Sequence, residues 1–302
     1  MQYSNSQLKT SRIKDLLFRF AGQIITALIL TLLLILIADL FIDGIERINW
    51  KFFISFPSRF PEKAGILSAW VGTFLVMFVT ISAAIPLGIA AGIYLEEYAS
   101  KNWITDLIEI NITNLAGVPS IIYGLLALAL FSASMKLGDS ILTGGFALGL
   151  LILPMIIVST REAIRSVPNQ IREAAFALGS TKWQVVYSHI LPPSMGGILT
   201  GIIIAISRAI GETAPLIAVG ALTFIAFLPT SPVISTPPYI SFQWLRDPFT
   251  VLPIQMFNWI SRPDISFHKN AAASGIVLLA ITLLINGTAI FVRYTFRKKI
   301  KW

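Results

Sequence analysis

The chain has 302 residues, 55% of them hydrophobic and only 13% charged, with a mean hydropathy of +0.78. A soluble domain carries about 25% charged residues, so these few charges cannot cover a soluble protein of this size. The net charge of +8 would suggest nucleic acid in a soluble chain, but here the basic residues cluster at the ends of apolar blocks, and a membrane is the simpler partner.

From the N-terminus, Lys9, Arg12, Lys14 and Arg19 precede an apolar run from Phe20 to Ile42. The run is longer than the apolar region of a secretory signal and no small-residue cleavage site follows it, so it reads as a retained anchor. About twenty apolar residues cross a bilayer core of about 30 Å. Runs of that kind recur near 68–95, 111–132, 141–160, 196–222 and 271–293, which makes six expected spans in an all-α bundle. A loop at 43–67 follows the first span, and a longer one at 223–270 precedes the last. The longer loop is rich in proline and aromatics (Pro229, Pro232, Pro237, Pro238, Trp244, Pro248, Pro253, Trp259), which suits an interface-hugging lid or a docking surface better than a disordered connector. The expected divisions are an N-terminal segment with the first span and outer loop at 1–66, a core at 67–293 and a basic tail at 294–302.

Orientation follows from lysine and arginine placement. Arg161, Arg165, Arg172 and Lys182 share the loop after the fourth span, and Arg293, Arg297, Lys298, Lys299 and Lys301 close the chain. With an even number of spans these join the four N-terminal basic residues on one side, placing both termini in the cytoplasm. Cysteine is absent and the only histidines are His189 and His268, so disulfides and thiolate metal sites are excluded and a multi-histidine metal site nearly so. No catalytic or metal-ligating residue is expected.

Small residues at four-residue spacing, Gly88 with Gly92, Gly145 with Gly149 and Gly197 with Gly201, would let helix backbones approach closely. Pro86, Pro119 and Pro215 fall inside spans, where a freed carbonyl needs a new partner and a broken helix can line a pathway. A simple kink is the preferred reading at Pro86.

The loop at 161–195 carries most of the information. Ser166 is positioned to cap a helix opened by Pro168. That helix runs through Glu173, Ala174 and Ala175 to Leu178, and Gly179 follows where a left-handed residue is expected. Thr181 and Gln184 form a capping box for a second short helix, which Pro192 is expected to stop. The first helix has a flat small-residue face (Ala174, Ala175, Ala177) suited to a groove on another protein rather than to deep lipid insertion.

In the fifth span, Arg208 and Glu212 lie four residues apart on one helix face. An isolated charge at the bilayer centre costs from about 3 to above 10 kcal/mol, so the pair points to a polar interior. An arginine there can match the oxygens of a passing oxyanion. Ser207 and Thr213, with Ser120 and Tyr123 from the third span, are candidate neutral hydrogen-bonding groups, although such hydroxyls often bond only to their own backbone. A structural ion pair fixing helix register is the alternative for Arg208 and Glu212.

Glu173-Ala174-Ala175, Gly179 and Leu191-Pro192 resemble the cytoplasmic EAA loop of binding-protein-dependent ABC importer permeases. His189 departs from that pattern, standing where an apolar residue is usual. The stretches Ile206–Leu216, Asn114–Gly124 and Pro86–Tyr94 look like the phosphate-specific PstA family, and Gly211-Glu212-Thr213-Ala214-Pro215 favours it over the sister PstC family. This resemblance covers most of residues 68–222 and implies a type I ABC importer permease fold in a bacterial inner membrane. It also implies that Glu173, Ala174, Ala175, Gly179, Leu191 and Pro192 form the ATPase-coupling element. The implied partners are a PstC-like sister permease, two ATPase subunits and an extracytoplasmic phosphate-binding protein, with phosphate as cargo. The chain itself has no Gly-x-x-x-x-Gly-Lys-Ser/Thr loop, so ATP and Mg are expected on the partner ATPase and no cofactor on this chain. The rival readings are a permease for molybdate or sulfate, an ion-coupled secondary transporter, and a non-transporting membrane scaffold.

Overall fold

The computed structural model describes residues 5–231, 233 and 239–299. Pro232, Pro237, Pro238 and Lys301, which entered the reading of the outer loop and of the basic tail, lie outside the described residues. The described residues form helices joined by turns, with one isolated antiparallel bridge between Val233 and Ile240. In chain order the helices are α1 (Asn5–Gly44), α2 (Trp50–Ile54), α3 (Leu67–Ile93), α4 (Trp103–Leu115), α5 (Ser120–Ala127) and α6 (Ile141–Arg165). They continue with α7 (Asn169–Ala177), α8 (Lys182–Gln184), α9 (Leu191–Gly211), α10 (Ala214–Ala218), α11 (Leu252–Ile260) and α12 (Ser266–Lys299).

Among the described residues, five helical runs are long and apolar enough to cross a membrane, and a bent pair makes a sixth if counted as one span. The bent pair is the span expected at 111–132, broken at Pro119 as the proline inside it suggests, and it begins earlier than expected, at Trp103. Helix α4 ends at Leu115, and the chain turns by 108° before continuing as α5 and a π turn to Ser134. Proline is the cause. Pro119 has no N–H to extend α4, and it disfavours helical geometry at Val118. The Tyr123 hydroxyl donates to the Leu115 carbonyl at 2.6 Å, supplying a partner for an acceptor that the break leaves over.

The centre of the bundle is α6, packed between α3 and α9. Lipid is as apolar as leucine, so close backbone approach must do what hydrophobic burial does in water. The paired glycines provide it. A Cβ at Gly88 would fall 2.6 Å from Ile156 Cγ2, and one at Gly197 would fall 2.6 Å from Ala163 Cβ. At Gly201 it would overlap the Ser159 side chain. Gly149 is the looser member of its pair, with its nearest neighbour at 3.9 Å. Thr80 ties the α3–α6 crossing further, its hydroxyl reaching both Val76 O at 2.9 Å and Gly145 O at 3.0 Å.

The long loop at 223–270 enters the bundle. Trp244, Phe249 and Val251 are buried in the same core cluster as α3, α6 and α9, and α11 packs on α12. Its backbone is tied in by Ser68 Oγ donating to Ile225 O (2.9 Å) and by Leu252 N–H donating to Thr73 Oγ1 (2.9 Å). A lid lying on the interface does not describe such a segment. The loop at 43–67 is anchored by Arg47, whose guanidinium donates to Asn270 Oδ1 (2.7 Å) and to the carbonyls of Pro61 (2.8 Å), Glu62 (2.6 Å) and Ala64 (2.9 Å).

Candidate substrate pathway and coupling surface

Helix α9 stops at Gly211, inside the stretch expected to be one span over 196–222. Glu212 is extended, with φ −78° and ψ 127°, and α10 restarts two residues later with Pro215 near its beginning. Arg208 therefore occupies the last turn of a helix that ends within the bundle, where unpaired carbonyls favour a cation.

The expected pair forms. Arg208 Nε donates to Glu212 Oε1 at 3.2 Å. Nη1 reaches Met155 Sδ on α6 at 3.4 Å, a weak acceptor. Among the described residues, Nη2 has no hydrogen-bond partner. The Arg208 side chain is 34% exposed and that of Glu212 is 21% exposed in the single chain, so neither is sealed in the core.

Other candidate groups gather around the same break to different degrees. Gly124 on α5 packs directly on Pro215, where a Cβ would fall 2.5 Å from the Pro215 carbonyl oxygen. This brings the broken third span against the segment that follows Arg208. Tyr123 is buried on α5 and lies within electrostatic reach of Arg208, though its hydroxyl is engaged by Leu115. Thr213 precedes α10 and is half-buried, and Ser120 is half-buried at the start of α5. Ser207 bonds its own helix at Ile203 O (2.7 Å) and also Asn286 Oδ1 on α12 (2.6 Å). The sequence reading missed Asn286. Its signal was a lone amide inside an otherwise apolar span.

At the opposite end of α9 lies the 161–195 loop. Gly179 adopts φ +82°, with nothing within 4 Å of where a Cβ would be, so backbone conformation rather than space calls for glycine. Thr181 and Gln184 form the expected capping box. Three expectations need correction. Ser166 does not cap α7; it ends α6, and its hydroxyl donates to Ala163 O at 2.7 Å. Pro192 does not stop the second helix: α8 runs through a π turn, Val185–Ile190, into α9 without a break. The wider i→i+5 turn delivers the chain to Pro192 and Pro193 at the start of an α-helix, where a missing N–H is tolerated. The flat alanine face is also divided, because Ala175 is buried with Ile164, Val167, Val185, Val186 and Ile190. Ala174, Ala177 and Glu173 stay exposed, and the large apolar groups beside them are Phe176, 48% exposed, and Leu178, 87% exposed. Leu191 packs half-buried on the main core, while Pro192 is exposed.

A bundle of membrane-length helices with broken spans and a short helix pair beside it is consistent with a transporter permease. Residues 84–301 match the family model described as binding-protein-dependent transport system inner membrane component, and the chain belongs to that family. It is 34% identical over 257 residues to the phosphate transport system permease protein PstA of Yersinia pestis, covering 85% of this chain and 81% of the relative. It is 31% identical over 261 residues to the probable ABC transporter permease protein YqgI of Bacillus subtilis (strain 168), covering 86% and 87%. In fold it is similar to the MetNI methionine ABC transporter in an inward-facing conformation, with a TM-score of 0.52, 16% identity and coverage of 74% of this chain and 91% of that one. The architecture is that of a type I ABC importer permease, and the protein is a multi-pass inner-membrane component.

Proposed function

We propose that this chain is the pathway-forming permease subunit of an ATP-driven importer of inorganic phosphate. The observation that carries the proposal is Arg208. A permanently charged fork, with one amino group unengaged among the described residues, stands at the end of a broken helix and meets Glu212 through a single contact. A planar guanidinium suits a tetrahedral oxyanion better than a point charge does. Relatives named as phosphate permeases match four-fifths or more of the chain, which supports phosphate over sulfate or molybdate.

In this reading the α7–α8 turn faces the cytoplasm, as do both termini. Two ATPase subunits dock there, binding and hydrolysing ATP with Mg, while this chain holds no cofactor. A sister permease completes the pathway, and an extracytoplasmic phosphate-binding protein delivers the cargo from the other side. Closure of the ATPase pair pushes on α7 through Phe176, Leu178 and the exposed alanines. The packed helices α3, α6 and α9 then rearrange and change the side to which Arg208 is open. Substrate passes Arg208, with Thr213, Ser120 and Ser207 as nearby neutral groups.

The test is uptake of radiolabelled phosphate at low external concentration in cells dependent on this chain. ATP and the proton gradient are depleted separately, with sulfate and molybdate as competitors. Uptake is expected to follow ATP, to resist both competitors, and to fall at least about tenfold in Arg208→Ala, the size of effect expected from losing one charge-assisted contact. Uptake that follows the proton gradient, or that sulfate abolishes, overturns the assignment.

A further inference from the structure

Helix α7 is poorly fastened by packing alone. It has nine residues, and the only one fully buried is Ala175. Its apolar packing is limited to Ala175 and the half-buried Ile171, in a small cluster that also takes in Val185, Val186, Ile190 and Ile93 at the end of α3. The polar fastening of α7 is Arg172. Its guanidinium donates to Glu97 Oε1 through Nε (3.1 Å) and Nη2 (2.8 Å), to Val167 O (2.8 Å), to Ile164 O (3.1 Å) and to Asn169 Oδ1 (3.1 Å). One side chain thus joins α7, the end of α6 and the end of α3.

The end of α3 is built to receive it. Tyr94–Tyr98 forms a π turn, and it presents Glu96 and Glu97 in succession. Neighbouring residues on a helix point roughly 100° apart, so the two acids reach different partners. Glu97 takes Arg172, while Glu96 takes Arg165 through two hydrogen bonds of 3.0 and 2.9 Å. Arg161, buried on α6, lies 3.5 Å from Glu96 and pairs with Glu109 on α4. Three acids and three arginines therefore connect α3, α4, α6 and α7. The Glu97 and Arg172 side chains are only 10% and 16% exposed, so solvent and salt screen this pair far less than a surface pair.

Covalent connection takes a movement of α7 directly into α6 and, through the α8 turn, into α9. Nothing covalent takes it into α3. We infer that Glu97–Arg172, backed by Glu96 and Arg161, is the mechanical joint that carries α7 movement into α3 and α4 during transport. Arg172 and Glu97 are positioning residues, since neither touches cargo or nucleotide. The inference rests on the permease reading above and adds which contact transmits force.

The test uses the whole importer in proteoliposomes, with ATP hydrolysis and phosphate uptake measured together. Glu97→Arg and Arg172→Glu are each expected to lower phosphate moved per ATP hydrolysed by about tenfold, within the range of coupling measured for contacting charged pairs, and the double swap to restore most of it. Glu97→Gln, which keeps an acceptor without the charge, should fall between. Arg172→Lys should not rescue, because an ammonium cannot span Glu97 and the two carbonyls at once. A second readout needs no cargo. The natural chain has no cysteine, so nitroxides at Tyr94→Cys and Ala177→Cys report the α3–α7 distance, given partner subunits without reactive cysteine. That distance should be the same in nucleotide-free and vanadate-trapped complexes, should change between them in each single swap, and should hold again in the double swap. Unaltered uptake per ATP in the single swaps, or a double swap no better than either, overturns the inference. A wild-type complex that hydrolyses ATP without moving phosphate overturns the cargo assignment instead, and the label distances then decide the joint alone.

Discussion

At the scale of single residues, the Arg208–Glu212 pair can be a register device or a working site, and the two roles separate in a double-mutant comparison. If the pair only offsets its own burial, removing both charges is milder than removing one, because no lone charge is left behind. If Arg208 meets the anion, Arg208→Ala with Glu212→Ala loses uptake as completely as Arg208→Ala alone, while both variants insert and assemble normally. We expect the second result in initial-rate uptake, with detergent-extracted yield of the complex as the control. The pair itself was legible in the sequence as two charges at four-residue spacing. Its setting was not. Glu212 lies outside the helix, and the contact of α5 with α10 at Gly124 and Pro215, between residues far apart in the chain, places the break beside the third span. Glu96, Glu97 and Glu109 were likewise passed over, since acids near a span end read as ordinary interfacial residues until their arginines are placed in space.

At the scale of elements, the α7–α8 turn is the part the sequence describes best, because its signals are local. Gly179 and the Thr181–Gln184 box stand as read. A left-handed residue at Gly179 means that Gly179→Val strains the turn, at a cost of about 1–2 kcal/mol or more, and uptake should drop severalfold. Gly179→Asn should keep most of it, because asparagine tolerates that conformation and open space surrounds the site. Equal losses in the two variants would mean that a partner needs the space itself. Local preference misled twice at this scale, Ser166 ending the helix before it rather than capping the one after it. Pro192 reads as a helix stop, but a π turn has no compositional mark, and Val185–Ile190 carries one helix straight into the next.

At the scale of the whole molecule, apolar runs announced the spans and Pro119 announced the break in the third, while the entry of the 223–270 loop into the bundle required tertiary contacts that no window of sequence contains. The α3–α6–α9 stack gives a paired prediction. Gly88→Leu forces a side chain onto Ile156 and should destabilise the bundle by about 1–3 kcal/mol as overpacking, seen as a lower unfolding temperature in detergent. Gly149→Ala meets its first neighbour at 3.9 Å and should be neutral or mildly stabilising, since alanine in a helix costs about 0.5–1 kcal/mol less than glycine. The buried outer segment also sets an order of manufacture. Trp244, Phe249 and Val251 seat among helices synthesised before them, so a ribosome that has just released α10 leaves those helices with an unfilled seam. The seam closes only when the nascent chain doubles back into it. Until α12 follows, the half-made protein exposes an unfinished face.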